Sequence, residues 1–285
     1  MPLDCNFSVN ELTTYRWTFD EDLYYAQKAG FDSIGLWRRK VNDFGEARAR
    51  EMLDDSDLTV SSLSWAGGFT GGDGRTLDES IRDALAAVGA AERLQADCLV
   101  VLAGGQNSHI RPHRNRLFRQ GLDEMLMAAE VAGVTLAIKP MHASCAREWT
   151  FLNSLEDALE LLGQYQSPHV KLVYDLYHFP ELADDPALVA DLVPHLALVQ
   201  LGDARVAQTA AQERCPLGHG VLPIWETVAA LQFAGYNGCF DVELMGAEIE
   251  VADYQTLLAE TYQSLVAGVD AVRQDEHRPL AERSR

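Results

Sequence analysis

The sequence predicts an α/β protein, a single-domain closed (β/α)8 barrel, on three observations. Short apolar runs alternate with helically spaced apolar stretches along almost the whole chain, as a parallel sheet covered by helices requires. Eight such runs fit within 285 residues, the usual size of a closed barrel. No G-x-G-x-x-G follows any early run, which disfavours an open, doubly wound sheet.

Each element has a local reason. The expected strands are Asp4–Ser8, Ser33–Trp37, Thr59–Ser64, Cys98–Leu102, Val134–Ile138, Lys171–Asp175, Ala197–Leu201 and Cys239–Leu244. Their near-continuous apolar character suits strands buried on both faces. Ala-Gly pairs at 29–30, 132–133 and 234–235 precede strands, where glycine ends a helix in a left-handed turn. Thr18 with Glu21, Thr76 with Glu79 and Ser154 with Asp157 have the spacing of capping boxes and mark helix starts. The stretch AGGFTGGDG at 66–74 fits no phosphate-loop spacing and reads as a turn, with ligand contact as the alternative. Residues 1–270 are assigned to the barrel and 271–285 to a charged, apolar-poor tail.

Composition narrows the function. Acidic residues outnumber basic ones, 43 to 23, for a formal charge of −20, which repels nucleic acid and anionic membranes. No run approaches the ~20 apolar residues that cross a bilayer, and the opening MPLDCNFSVN lacks the pattern of a secretory signal, so a cytoplasmic location is expected. Five scattered cysteines without a C-x-x-C pair suggest buried, reduced thiols. A homodimer is compatible with the sequence.

In a closed βα barrel the site is built where the strands end, and here those ends are rich in chemistry. They supply Trp37, Arg38, Arg39 and Lys40, then Trp65, Lys139 with His142, Asp175 with His178, Gln200 with Asp203 and Arg205, and Glu243. Arg39 and Asp203 read equally well as a rim charge or a strand-end hydrogen bond. Asp175 and Glu243, flanked by apolar neighbours in VYDLYH and FDVELM, read as carboxylates in the barrel mouth that need a counter-charge.

These residues carry a resemblance. GLWRRK after the second run, KPMHA after the fifth, YDLYH after the sixth, VQLGDAR after the seventh, then ERCPLGHG and FDVELMG, resemble the xylose isomerase-like TIM-barrel superfamily of sugar-phosphate isomerases and epimerases, over about residues 6 to 268. The resemblance implies carbohydrate metabolism and a divalent metal held by glutamate, aspartate, histidine and glutamate at four strand ends, the two glutamates serving as acid and base. Asp175, His178 and Glu243 match that pattern, as do Pro140 and His142. Lys139 stands where the first glutamate belongs, Gln200 where the histidine belongs, and His219 where an acidic residue is common.

An ammonium cannot coordinate a cation, and an amide is a poor ligand, so no metal or other cofactor is expected. Asp175 and Glu243, the ligand positions that remain, would keep at most a weak divalent site. Lys139, Asp175, Gln200 and Glu243 together carry a net −1, equal to that of the metal-loaded family site, so Lys139 reads as a built-in cation. A Schiff-base role is disfavoured because two nearby carboxylates raise a lysine pKa, whereas a nucleophilic amine needs it lowered. The expectation is isomerase-type proton transfer next to a carbonyl of a small polyhydroxylated or keto compound. Glu243 is the expected base, with Lys139 and Asp175 beside it. Trp37, Arg38, Lys40, Trp65, His142, His178, Gln200, Arg205, Arg214 and His219 are the expected substrate-binding residues. A lyase using the same abstraction and a barrel that binds without turnover remain as alternatives.

Overall fold

The computed structural model describes residues 5–276. Eight parallel strands close a ring in chain order: β1 (Asn6–Asn10), β2 (Ser33–Trp37), β3 (Thr59–Gly67), β4 (Leu99–Leu102), β5 (Leu136–Ile138), β6 (Val170–Asp175), β7 (Leu196–Leu201) and β8 (Cys239–Val242). The ring is sealed where β1 pairs with β8, Phe7 opposite Phe240 and Val9 opposite Val242. The chain is a single-domain (β/α)8 barrel.

The outer layer comprises α1 (Phe19–Ala29), α2 (Arg38–Phe44), α3 (Glu46–Asp54), α4 (Leu77–Leu94), α5 (Arg111–Ala132), α6 (Leu155–Leu162), α7 (Pro186–Leu192), α8 (Ile224–Phe233), the single turn α9 (Ala247–Glu250) and α10 (Tyr254–Glu276). Helix starts follow the sequence signals. Thr76 N donates to Glu79 Oε2 at 2.8 Å while Thr76 Oγ1 accepts from Glu79 N at 3.3 Å, and Ser154 Oγ accepts from Asp157 N at 3.0 Å. Gly30, Gly133 and Gly235 all have positive φ, the conformation for which the repeated Ala-Gly pair was read. No described helix is long and apolar enough to cross a membrane, and no disulfide joins the five cysteines.

Several boundaries differ from expectation. β3 runs on to Gly67, taking in the first two residues of the stretch expected as a turn, β8 ends at Val242, and β4, β6 and β7 start one residue from the expected position. Three further differences stand out. The first strand runs to Asn10 because the polar Ser8 and Asn10 turn inward and find partners: Ser8 Oγ lies 2.7 Å from Ser61 Oγ, and Asn10 Nδ2 donates to Asp241 Oδ2 at 2.8 Å. Position 4, where that strand was expected to begin, lies outside the described residues. The fifth strand starts at Leu136, since Val134 N still donates to Ala129 O at the helix end (2.9 Å). The last helix continues past residue 270 to Glu276; the rest of the expected tail, 277–285, lies outside the described residues.

The two-residue period of the strands sorts side chains between the layers. Leu99, Val101, Leu136, Ile138, Leu172, Val199, Phe240 and Val242 face the helices in the main core. Their neighbours Cys98, Val100, Ala137, Val173, Leu198 and Cys239 fill the barrel interior as a separate apolar layer. One step of two beyond that layer come Lys139, Asp175, Gln200 and Asp241.

Candidate active site

That alternation delivers Lys139, Asp175, Gln200 and Glu243 to one point. Lys139 follows β5, its N–H donating to Val101 O at 3.0 Å, and Pro140 then ends the ladder. Lys139 Nζ lies 2.8 Å from Asp175 Oδ2 and 2.9 Å from Glu243 Oε1. Gln200 Nε2 donates to Glu243 Oε2 at 2.6 Å and to Asp241 Oδ2 at 3.3 Å. A second cation enters from the loop after β7: Arg214 Nη2 lies 2.9 Å from Asp175 Oδ2 and 3.2 Å from Glu243 Oε1, while its Nη1 donates to Glu243 O at 2.7 Å. Two cations thus face two carboxylates, all four buried.

The charges explain the protonation states. Burial alone would lower the Lys139 pKa, but Asp175 and Glu243 outweigh it and hold the ammonium above the usual lysine value. Burial pushes Asp175 up, yet Arg214 and Lys139 overcome it and keep its carboxyl well below the carboxylate range. For His178, burial prevails over the attraction of Asp175, with Lys139 and Arg214 assisting, and the imidazole is depressed to about 3. His178 is therefore neutral, with neither ring nitrogen hydrogen-bonded among the described residues. Burial raises Asp241 to about 6 against the hydrogen bonds from Asn10 and Gln200.

A cavity of about 260 Å³ opens above this quartet, with Lys139 and Glu243 in its lining. Trp37, Trp65, Trp149, Met141 and Met245 form its walls, Trp65 and Trp149 meeting edge to face with centroids 5.6 Å apart. An ammonium has three N–H donors, and two of those of Lys139 are taken by carboxylates. The third has no partner among the described residues, and Lys139 lines the cavity. Glu243 lines the cavity beside it.

Of the residues singled out by sequence, Trp37, Trp65, Lys139 and Glu243 line this cavity, and Asp175 supports it from behind. The others sit elsewhere. Arg214, expected to bind substrate, is buried against Asp175 because the loop after β7 folds inward over the strand ends. Gln200 and His178 are buried behind Glu243 and Asp175, so Gln200 bonds to the glutamate rather than to a ligand. Lys40 is buried outside the cavity lining, where it pairs with Asp22 and donates to Thr14 O at 2.9 Å. Arg38 is held by Asp83 and by Trp65 O, both at 3.0 Å. Arg205 is exposed and pairs with Glu248 at 2.9 Å, while donating to His219 O at 2.7 Å. The His219 side chain is exposed, and His142 Nδ1 lies 3.0 Å from Ser144 Oγ outside the cavity lining. Asp203 proves to be a loop organiser: its carboxylate accepts from the backbone N–H of Ala204, Gly218, Gly220 and Leu222 at 2.8 to 3.1 Å. Gly220 is required there, since a Cβ would lie 2.1 Å from Asp203 Oδ1.

Sequence reasoning missed Trp149, Met141, Met245, Tyr15 and Gln212 in the cavity lining and Asp241 beneath it. Asp241 carried a signal, since it lies two positions before Glu243 in an apolar strand.

The sequence profile of the xylose isomerase-like TIM barrel family matches residues 23–264. The chain belongs to that family. A protein of Sinorhizobium meliloti 1021, SMc04130, is 26% identical, with 92% of this chain and 98% of that one covered at a TM-score of 0.82. Less similar in sequence are an IolI protein whose structure contains zinc (18% identity, 94% and 99% covered, TM-score 0.78) and a D-allulose 3-epimerase from Methylomonas sp. (18%, 93% and 98%, 0.73). These last two share the fold. No curated protein matches the chain in sequence.

The metal implied by the resemblance to isomerases of the family can be tested against the residues present. Two of its four ligand positions hold Lys139 and Gln200, and the remaining carboxylates are engaged by Lys139 and Arg214 at 2.8 to 3.2 Å. Among the described residues no three His, Cys, Asp or Glu side chains converge as an ion would need. The donor set does not fit a divalent cation.

Proposed function

We propose that this member of the family is an isomerase-type enzyme that moves a proton next to the carbonyl of a small keto compound, through an enediolate and without a divalent metal. The observation that carries the reading is the Lys139 ammonium, held 2.9 Å from Glu243 at the cavity with one N–H unspent. The carbonyl oxygen accepts that N–H. Glu243 then takes the proton from the adjacent carbon, the C–H electron pair becomes the C=C bond, and the carbonyl electrons move onto the oxygen. Lys139 stabilises the oxyanion, a role for which a positioned donor is worth roughly 10²- to 10³-fold in turnover. The hydroxyl proton shifts between the two oxygens, and Glu243 returns its proton to the neighbouring carbon. With Glu243 the one carboxylate among the described residues lining the cavity, one base serves both steps, which favours isomerisation over two-base epimerisation.

A second reading is supported by the hydrogen bonds to Glu243. It accepts from Lys139, Arg214 and Gln200, so both of its oxygens are already engaged by protein donors. A barrel so built would bind the same ligand without converting it.

Solvent deuterium exchange separates the two. In D2O, hydroxyketones that bind should exchange the C–H next to the carbonyl, equally with and without a chelator, and Glu243→Gln should abolish exchange while preserving binding. Binding without exchange for every compound would overturn the isomerase reading in favour of the second.

A further inference from the structure

The cavity itself narrows the substrate class beyond the proposed chemistry. Its walls are three tryptophans and two methionines, with Leu102 adding a further apolar side chain. Polar side chains are few. Lys139 and Glu243 are largely committed to each other and to their buried partners, Gln212 Oε1 accepts from Arg214 at 3.4 Å, and only Ser64 and the Tyr15 hydroxyl complete the polar side chains of the lining. A sugar would bring several hydroxyls against these walls, and each one left without a partner costs about 1–3 kcal/mol. Trp65 and Trp149, edge to face at 5.6 Å, instead offer an aromatic corner into which a flat ring packs.

Charge and size point the same way. The two cations at the cavity base are balanced by two carboxylates within 3.2 Å, leaving no surplus positive charge for a carboxylate or phosphate. Arg38, Arg205 and Arg214 do not line the cavity. At about 260 Å³ it is smaller than the ~300–1,000 Å³ pockets that take drug-sized ligands.

We infer that the ligand is a neutral, compact carbonyl compound with a flat apolar body, such as an aryl hydroxyketone, and not a polyol or a sugar phosphate. The inference rests on the proposed role of Lys139 as the carbonyl-binding donor. Three compounds test it, by isothermal titration and quenching of tryptophan fluorescence: 2-hydroxyacetophenone, D-fructose and D-fructose 6-phosphate. The aryl compound should bind at least tenfold more tightly than fructose, and the phosphate should add nothing. Trp149→Ala should weaken the aryl compound tenfold or more, and Trp149→Phe should restore most of the loss if the alanine variant proves unstable. Equal or tighter binding of either sugar, no binding of the aryl compound at millimolar concentration, or unchanged aryl affinity in both Trp149 variants would overturn the inference. Deuterium exchange keeps the two claims apart. Preferred aryl binding without exchange would uphold the ligand class and sink the isomerase reading, whereas exchange in fructose with fructose preferred would do the reverse.

Discussion

Lys139 Nζ and Glu243 Oε1, 104 positions apart in the chain, meet at 2.9 Å beneath the cavity, and Arg214 closes on the same carboxylate oxygen at 3.2 Å. The site is thus an internally neutralised quartet rather than a pair of carboxylates awaiting a counter-ion.

Lys139→Met should reduce folding stability by about 3 kcal/mol, because removing one partner of a buried ion pair strands the other charge. Arg214 stays beside both carboxylates and keeps the loss near the lower end of the range for buried pairs. Denaturant titration near pH 7 measures it. A neutral or stabilising effect would show that the three groups are not neighbours.

Purified protein should carry no stoichiometric divalent metal by elemental analysis, and a chelator should leave its melting temperature unchanged. Rebuilding the ligand set implied by the family resemblance needs Lys139→Glu and Gln200→His, yet Arg214 would still occupy the carboxylates. The double variant should therefore respond weakly to manganese, and only the triple variant with Arg214→Met should gain clear thermal stability from it. A full response in the double variant would mean that Arg214 does not hold the site.

Asp241 rests at about 6 against an ordinary 3.8, so the native protein holds this proton where the unfolded chain has released it. The resulting stability is complete below pH 3.8 and is lost as pH rises through 6. Asp241→Asn removes this dependence and keeps the neighbouring amides paired. Its stability relative to the parent should climb by about 3 kcal/mol across that interval. Denaturant midpoints at several pH values give the curve, and a flat difference would show that Asp241 is not desolvated.

Asp203→Asn should loosen the loop carrying the Gly218-His219-Gly220 stretch. The new amide group faces N–H donors where the carboxylate accepted them, at a cost of about 2 kcal/mol. Hydrogen exchange at residues 218, 220 and 222 should accelerate while that of Lys139 in the β5 ladder does not. Unchanged protection at those three amides would refute the anchoring role.

Much of this fold was legible because strands impose direction. The two-residue period fixes where Lys139, Asp175, Gln200 and Glu243 point once the strands are placed, so their convergence follows from the sequence. Loops impose no such period. Arg214, in the loop between β7 and α8, could equally have lined the rim, and Trp149 lies in the segment after β5 with nothing to mark its turn toward Trp65. Lys40 was misplaced for another reason. Its partner Asp22 falls on the apolar stripe of α1 with Phe19, Leu23 and Ala26, a sign of buried charge that only a helical projection of that stretch reveals.

The quartet also bears on how the barrel assembles. Its charges come from the ends of β5 and β6, the loop after β7 and the residue following β8, and Asp241 finds Asn10 231 positions away across the β1–β8 seam. A partial barrel lacking β8 but retaining that loop would set two cations against one carboxylate in a desolvated interior. Such intermediates are penalised by the same interactions that secure the finished ring, so closure is driven toward an all-or-none event and barrel fragments are poor candidates for independent folding.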